Sequence, residues 1–402
     1  MYLTIFIPGK QMSLSNKLSK QVKNIPRSGI RDFFELVLGR DDVISLGVGE
    51  PDFSTPWHIR EAAIYSLEKG ETSYTSNLGL EKLRVSISDY VSQCFGVDYD
   101  SGSEVLVTVG VSEALDLACR ALLNPGDEVL YHEPCYVSYD PSIRLAYGVP
   151  VPVSATVEDE FSVKAEEIDN LVTSNTRILI LNFPTNQTGA VMEKEELQKI
   201  ADICIANDLI VITDEIYSEL VYEEEYKHVS IASLSGMKER TILLHGFSKA
   251  FAMTGFRLGY SCAPPEITEA MMKIHQYSML CAPITSQVAA IEALENGAKA
   301  VEKMRQDYKK RRDLIVGEFN DMGLPCNVPG GAFYAFPDIR GTGLTSKEFA
   351  SALLESQNVA AVPGDAFGSS GEGFLRCCYA TDVKLIRSAL DGFRKFLVDI
   401  KR

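Results

Sequence analysis

The chain alternates short apolar runs with longer segments that have the spacing of helices. The apolar runs have the length of strands, and they end near Val109, Tyr131, Val153, Leu181, Thr213, His245 and Cys262. Several are separated by helix-like segments, such as residues 193–207. Apolar strands joined by long crossovers form parallel sheets that are buried between helices. The pattern therefore predicts an α/β fold with a mostly parallel sheet.

The pattern changes after about residue 290. A long charged helix is predicted over residues 299–321, and short strands follow around residues 332–336 and 374–379, before a final helix. Short strands followed by helices are typical of an α+β unit. We therefore expect a second, smaller domain in this part of the chain.

Length and composition limit the classes of function. A chain of 402 residues is long enough for two or three domains. Its net charge of −16 argues against nucleic acid or an anionic membrane as a partner. The nine cysteines have no C-x-x-C pair, which favours reduced thiols in a cytosolic protein, and the five histidines lack ligand-like spacing, so no metal is predicted. No stretch approaches the ~20 apolar residues of a transmembrane helix.

Lys249 follows the apolar run that ends at His245, and Arg257 follows eight residues later. A lysine at the carboxyl end of a buried strand, partly desolvated and near another cation, has a depressed pKa and can attack an aldehyde. An arginine can hold a phosphate through two parallel hydrogen bonds. Together they suggest pyridoxal phosphate. The alternative is an ordinary hairpin with two solvated cations.

Other residues supply the remaining groups that this cofactor needs. Asp214 ends an apolar run, and a carboxylate against the pyridine nitrogen would keep that ring protonated. Tyr217 and Asn186 can donate to the phenolate oxygen of the ring. The alternatives are a helix N-cap for Asp214 and a structural turn for Asn186.

Four further residues are candidates for binding. Val111 and Ser112 follow a glycine turn at a predicted helix start, where backbone N–H groups bind phosphate. Tyr136 offers an aromatic face for stacking, although it could equally be a core or rim tyrosine. Arg376 lies inside an apolar strand, where an unpaired charge is costly, so we expect it to meet a structural carboxylate or a substrate anion.

From about residue 13 to its C-terminus, the chain resembles the class I/II pyridoxal-phosphate-dependent aminotransferases of fold type I. Within them it is similar to the branch of bacterial and archaeal aspartate and aromatic amino acid aminotransferases. The resemblance is carried, in order, by residues 47–53, 74–79, 182–190, 214–217, 246–260 and 329–334. It implies a large cofactor-binding domain over 51–292 and a small domain formed by 13–50 and 293–402. Residues 1–12 are expected to be a disordered tail or an incorrectly assigned start.

The resemblance also implies roles for individual residues. Lys249 becomes the Schiff-base lysine, and Asp214 the partner of the ring nitrogen. The other implied contacts are Tyr217 and Asn186 at the phenolate oxygen, Tyr136 on the ring face, Val111, Ser112, Ser248 and Arg257 at the phosphate, and Gly49, Asn186 and Arg376 at the substrate. Tyr74 is expected to reach the phosphate of a neighbouring subunit, which implies a homodimer.

Three positions depart from the family pattern. Gln187 stands where a proline is usual, so the loop backbone is less rigid. Gly246 stands where a phosphate-binding serine is common, and Ser248 is expected to take over that contact. Ser112 replaces a lysine that helps some bacterial aspartate enzymes bind a distal carboxylate. This last departure favours aromatic or broad neutral donors.

The predicted function is transfer of the amino group of an L-amino acid to 2-oxoglutarate, with ping-pong kinetics, in the cytoplasm. Aspartate and alanine remain possible donors. Because one fold serves several reactions, a pyridoxal-phosphate-dependent carbon–sulfur lyase is an alternative, and so is a regulatory protein that binds the cofactor without turnover.

Overall fold

The structure is a computed structural model, and it describes residues 14–25, 29–30, 39–40, 42–223 and 226–400. The predicted extension over residues 1–12 lies outside the described residues. No helix in these ranges is long and apolar enough to cross a membrane.

The strands and helices are numbered in chain order. The strands are β1 (Ile44–Ser45), β2 (Val105–Thr108), β3 (Glu128–Glu133), β4 (Val149–Ser154), β5 (Thr176–Asn182), β6 (Ile210–Asp214), β7 (Thr241–Gly246), β8 (Gly259–Cys262), β9 (Tyr334–Ala335), β10 (Val359–Ala360), β11 (Val362–Pro363) and β12 (Leu375–Cys378). The helices are α1 (Lys20–Asn24), α2 (Trp57–Glu68), α3 (Glu81–Phe95), α4 (Val111–Leu122), α5 (Tyr139–Leu145), α6 (Ala165–Asp169), α7 (Lys194–Ala206), α8 (Pro265–Ser278), α9 (Ile284–Asn296), α10 (Ala298–Asp321), α11 (Ser346–Gln357) and α12 (Val383–Asp399).

Seven strands form the central sheet, in the order β2-β8-β7-β6-β5-β3-β4. Strands β3 to β7 pair in parallel, whereas β8 is antiparallel to both β2 and β7. The predicted mostly parallel sheet is confirmed. The antiparallel strand follows from its connection, because residues 247–258 contain only a short 3-10 turn instead of a crossover helix, and the chain returns in the opposite direction.

The sheet is buried on both faces because its strands carry apolar residues at successive positions. In β5, Ile178 and Ile180 pack on a core cluster that includes residues of α4, α5 and α8. Leu179 and Leu181 point to the other face, into the cluster that contains Leu197 and other residues of α7. Helices therefore cover both faces of the central sheet, and the open edge at the carboxyl ends of the strands is left for a site.

Two smaller sheets involve the C-terminal part of the chain. In one, β1 pairs in parallel with β10, and in the other the order is β11-β12-β9 with antiparallel pairing. The predicted long helix is α10, the two predicted short strands are β9 and β12, and α12 is the final helix. The boundaries of the two domains stay a prediction.

Candidate active site

The carboxyl ends of β5, β6 and β7 and the N-terminus of α4 border one cavity of about 490 Å³. Its lining includes eleven of the predicted site residues: Gly49, Val111, Ser112, Tyr136, Asn186, Asp214, Tyr217, Ser248, Lys249, Arg257 and Arg376. Tyr74 does not line it, and 84% of the surface of this residue is exposed. Residues that are far apart in the sequence meet here because parallel strands present their carboxyl ends at the same edge.

Lys249 lies three residues beyond β7, with its amino group in the cavity. The Nζ atom donates a hydrogen bond of 2.7 Å to the carbonyl oxygen of Gly49. Burial lowers the pKa of Lys249 to about 8, and the nearby positive charges of Arg376 and Arg257 act in the same direction. A lysine with this pKa is partly neutral near physiological pH and can act as a nucleophile or a base.

Asp214 is the last residue of β6 and is buried. Its Oδ2 accepts a hydrogen bond of 2.9 Å from the Tyr139 hydroxyl, and its Oδ1 accepts one of 3.3 Å from the backbone N–H of Ile216. Burial raises the pKa of Asp214 to about 6, against the effect of these two donors. No lysine, arginine or histidine of the described chain forms an ion pair with it. The carboxylate is therefore suited to receive a cationic group of a ligand.

Arg376 lies in β12 with only 4% of its surface exposed. Its Nη2 donates to the carbonyl oxygen of Gly47 at 2.7 Å, and its Nη1 donates to Oδ1 of Asn186 at 3.0 Å. The buried Nε has no hydrogen-bond partner among the described residues. Of the two predicted alternatives, a structural carboxylate is not found within the described ranges, because both partners are neutral oxygen atoms. The guanidinium remains able to bind a substrate anion.

The guanidinium of Arg376 is fixed by two aromatic rings. It lies 4.6 Å from the ring centre of Tyr334 and 4.7 Å from that of Phe367. The Tyr334 hydroxyl is 3.0 Å from that of Tyr217, which also accepts a hydrogen bond of 2.8 Å from Nδ2 of Asn186. Arg376, Asn186, Tyr217 and Tyr334 thus form one connected polar wall of the cavity.

The part of the cavity beside the N-terminus of α4 is suited to bind an anion. Helix α4 begins at Val111, directly after Gly110, which has a φ of 77°. A Cβ atom at Gly110 would lie 2.9 Å from Nη2 of Arg257, so glycine permits the guanidinium to approach the helix N-terminus. Ser112 and Ser248 also line the cavity. Free backbone N–H groups together with an arginine are a common binding arrangement for phosphate.

Two residues near the site were missed by sequence reasoning. Tyr139 donates a hydrogen bond to Asp214. The only indication of this residue in the sequence is its position three residues after Tyr136. Tyr334 is the last residue of the motif 329–334, and the sequence alone indicates no role for this tyrosine. Both depend on tertiary packing that residue spacing does not show.

The comparisons with known proteins agree with this geometry. The family described as aminotransferase class I and II matches residues 41–393. The candidate aminotransferase YugH of Bacillus subtilis is 51% identical over 384 residues, which cover 96% of this chain and 99% of that protein. An aspartate aminotransferase of Pyrococcus abyssi is 46% identical over 386 residues, with 96% and 99% covered.

A solved structure is similar as well. The aromatic aminotransferase from Pyrococcus horikoshii OT3 superposes with a TM-score of 0.88 at 47% identity, and the match covers 92% of this chain and 99% of that one. The chain belongs to the class I and II aminotransferase family, and it is an aminotransferase.

Proposed function

We propose that the protein uses pyridoxal phosphate to transfer the amino group of an L-amino acid, with an aromatic or other neutral side chain favoured, to 2-oxoglutarate. The observation that carries the proposal is the single cavity in which three groups converge. These are a lysine of lowered pKa, a buried carboxylate that forms no ion pair within the described chain, and a helix N-terminus with an arginine beside it.

Features of the structure itself support the binding of pyridoxal phosphate in this cavity. Within the described chain the buried carboxylate of Asp214 forms no ion pair, and a protonated ring nitrogen would supply a cation. The cradle between Gly110 and Arg257 would be filled by a Cβ atom, and a phosphate suits its N–H groups and guanidinium. Lys249 would hold the aldehyde covalently. The other contacts would come from Tyr217 and Asn186 at the phenolate oxygen, Tyr136 on the ring face, and Val111, Ser112 and Ser248 at the phosphate.

When bound, the cofactor supplies an electron sink for the negative charge that develops at the substrate Cα. Arg376 binds the α-carboxylate of the amino acid, and its two aromatic neighbours keep the guanidinium in place. Lys249 accepts the proton from the substrate Cα and donates it again later in the reaction. A pKa of about 8 suits a group that both accepts and donates a proton. The carbonyl oxygen of Gly49 holds the lysine amino group near the substrate position.

The cavity lining favours a neutral donor. Its cations in the described chain are Lys249, Arg257 and Arg376, and all three have roles in the proposal. Ile30 and Val48 add apolar surface to the lining. A second carboxylate, as in aspartate, meets no further cation among the described residues that line the cavity. Aspartate remains the second candidate donor, since a relative that is 46% identical is named an aspartate aminotransferase.

An absorbance spectrum of the purified protein with cofactor tests the proposal. Single amino acids are added without an acceptor, and we expect tyrosine and phenylalanine to convert the spectrum to that of pyridoxamine phosphate faster than aspartate or alanine does. Release of pyruvate from a cysteine conjugate without an oxo acid would instead indicate a carbon–sulfur lyase. A spectrum that no donor changes would indicate a protein that binds the cofactor without turnover.

We further propose a cytoplasmic homodimer in which Tyr74 of one chain serves the phosphate of the other. The support is that Tyr74 lies on the surface, outside the cavity of its own chain. Sedimentation should give twice the mass of one chain, and Tyr74→Phe should weaken cofactor binding. A monomer with full activity would contradict this arrangement.

Replacing Asp214 by asparagine should stabilise the protein without cofactor and weaken cofactor binding. Because burial raises the pKa of Asp214 from 3.8 to about 6, its ionisation costs folding free energy. The cost is absent below pH 4, grows between pH 4 and 6, and reaches up to about 3 kcal/mol above pH 6. Asp214→Asn should therefore raise the melting temperature of the apoprotein at pH 8 but not at pH 4. Cofactor affinity, from fluorescence titration, should fall on the order of 10²-fold.

Asp116→Asn is the control, because Asp116 lies on the exposed side of α4 in a surface pair with Arg120. Asp116→Asn should change neither the melting temperature of the apoprotein nor the cofactor affinity. A stability change in Asp214→Asn that is the same at pH 4 and pH 8 would contradict the assigned cost of ionisation.

A further inference from the structure

Tyr139 approaches Asp214 from outside the cavity. It is the first residue of α5, its side chain is fully buried, and it does not belong to the cavity lining. Its hydroxyl donates to Oδ2 of Asp214 at 2.9 Å. Its ring contacts that of Tyr136 edge-on, with the ring centres 5.8 Å apart and an interplanar angle of 82°. One side chain thus touches both the carboxylate and the aromatic residue proposed to stack on the cofactor.

The hydroxyl of Tyr139 is the side-chain donor to Asp214 within the described chain. The second donor is the backbone N–H of Ile216, which is bound to the other oxygen. Other charged groups lie farther off. His245 on β7 favours the ionised carboxylate, and Glu215 next along the chain opposes it. Burial and the carboxylate both raise the pKa of Tyr139, so the phenol keeps its proton and remains a donor.

A neutral donor has a specific advantage at this place. A lysine or arginine there would stabilise the carboxylate but would also cancel its negative charge. A phenol stabilises and orients the ionised carboxylate while it leaves the full charge for the ligand. The carboxylate can then hold a proton on a ring nitrogen in the cavity.

We propose that Tyr139 is a positioning residue that keeps Asp214 ionised and oriented toward the cofactor nitrogen. This inference rests on the proposed function. It adds a residue that contacts neither substrate nor cofactor and acts through Asp214. Through its contact with Tyr136, it also ties the position of the stacking ring to that of the carboxylate.

The test is Tyr139→Phe, which removes only the hydroxyl. We expect cofactor affinity, measured by fluorescence titration of the apoprotein, to fall about tenfold. The melting temperature of the apoprotein should fall more at pH 8 than at pH 4, because the ionised carboxylate loses its donor. In an Asp214→Asn background, Tyr139→Phe should leave cofactor affinity within about twofold. That result would separate a role through Asp214 from a role in packing.

Tyr131→Phe is a matched control. Tyr131 is also buried and its hydroxyl also donates to a carboxylate, that of Glu133 at 3.2 Å, but neither residue lines the cavity. It should leave cofactor affinity unchanged. If Tyr139→Phe binds the cofactor as the wild type does, or loses equal stability at both pH values, the inference is wrong. A wild-type protein that does not take up pyridoxal phosphate would overturn the proposed function, and this inference with it.

Discussion

Replacing Lys249 by alanine should lower turnover at least ~10⁴-fold, because it removes both the nucleophile and the base in one step. The fold should survive, because the Lys249 side chain makes one hydrogen bond among the described residues, to the carbonyl oxygen of Gly49. The substitution also removes a buried amine whose charged form costs free energy. The measurement is the rate of amino-group transfer in a single turnover, with cofactor in excess.

Borohydride reduction and intact mass supply a second measurement. The wild type should gain the mass of the reduced cofactor, whereas Lys249→Ala should not. The trapping is best done at pH 9, because a pKa of about 8 leaves most of the lysine neutral there. Lys238→Ala is the control, because Lys238 pairs with Glu104 at 3.1 Å and lies outside the cavity lining. A Lys249→Ala protein that retains most of its activity would refute the assignment.

Replacing Arg376 by lysine should lower kcat/KM for an α-amino acid roughly 10²–10³-fold although the positive charge is kept. A lysine has no planar fork, so it cannot donate to Gly47 and Asn186 and also bind a carboxylate through two parallel bonds. Tyrosine and tyramine form the most informative pair of substrates, because they differ only in the carboxylate. The loss should be large for tyrosine and small for tyramine.

Arg312→Lys is the matched control. Arg312 is another buried arginine, and it pairs with Glu223 at 2.8 Å away from the cavity. Arg312→Lys should not change the ratio of kcat/KM for tyrosine to kcat/KM for tyramine. An equal loss of rate for tyrosine and tyramine in Arg376→Lys would mean that Arg376 has a structural role and does not bind the α-carboxylate.

The sequence was a good guide to the large sheet and to the edge that carries the site. Each of the seven apolar runs ends within two residues of the end of an observed strand. Asp214 and Lys249 were found because reactive side chains directly follow buried strands, and parallel strands bring such positions together. The antiparallel direction of β8 was not predicted, because a strand that is buried on both faces has the same apolar composition in either direction.

The residues that act through another residue were harder to predict. Tyr139 is an ordinary buried tyrosine by sequence, and its role depends on how α5 packs against the end of β6. Tyr334 lines the cavity from the three-stranded sheet of β9, β11 and β12. The role of Tyr74 and the homodimer require a second chain, so they stay predictions, as do the domain boundaries.

The short return from β7 to β8 has a consequence for how this enzyme could diverge. Lys249 and Arg257 both lie in the single loop over residues 247–258, so an insertion there would move the groups for the aldehyde and for the phosphate relative to each other. Ile30 and Val48 line the same cavity from a separate part of the chain. Changes at those two positions could alter which donors are accepted while the cofactor chemistry stays intact. Selectivity and catalysis are thus separable targets for natural variation and for engineering.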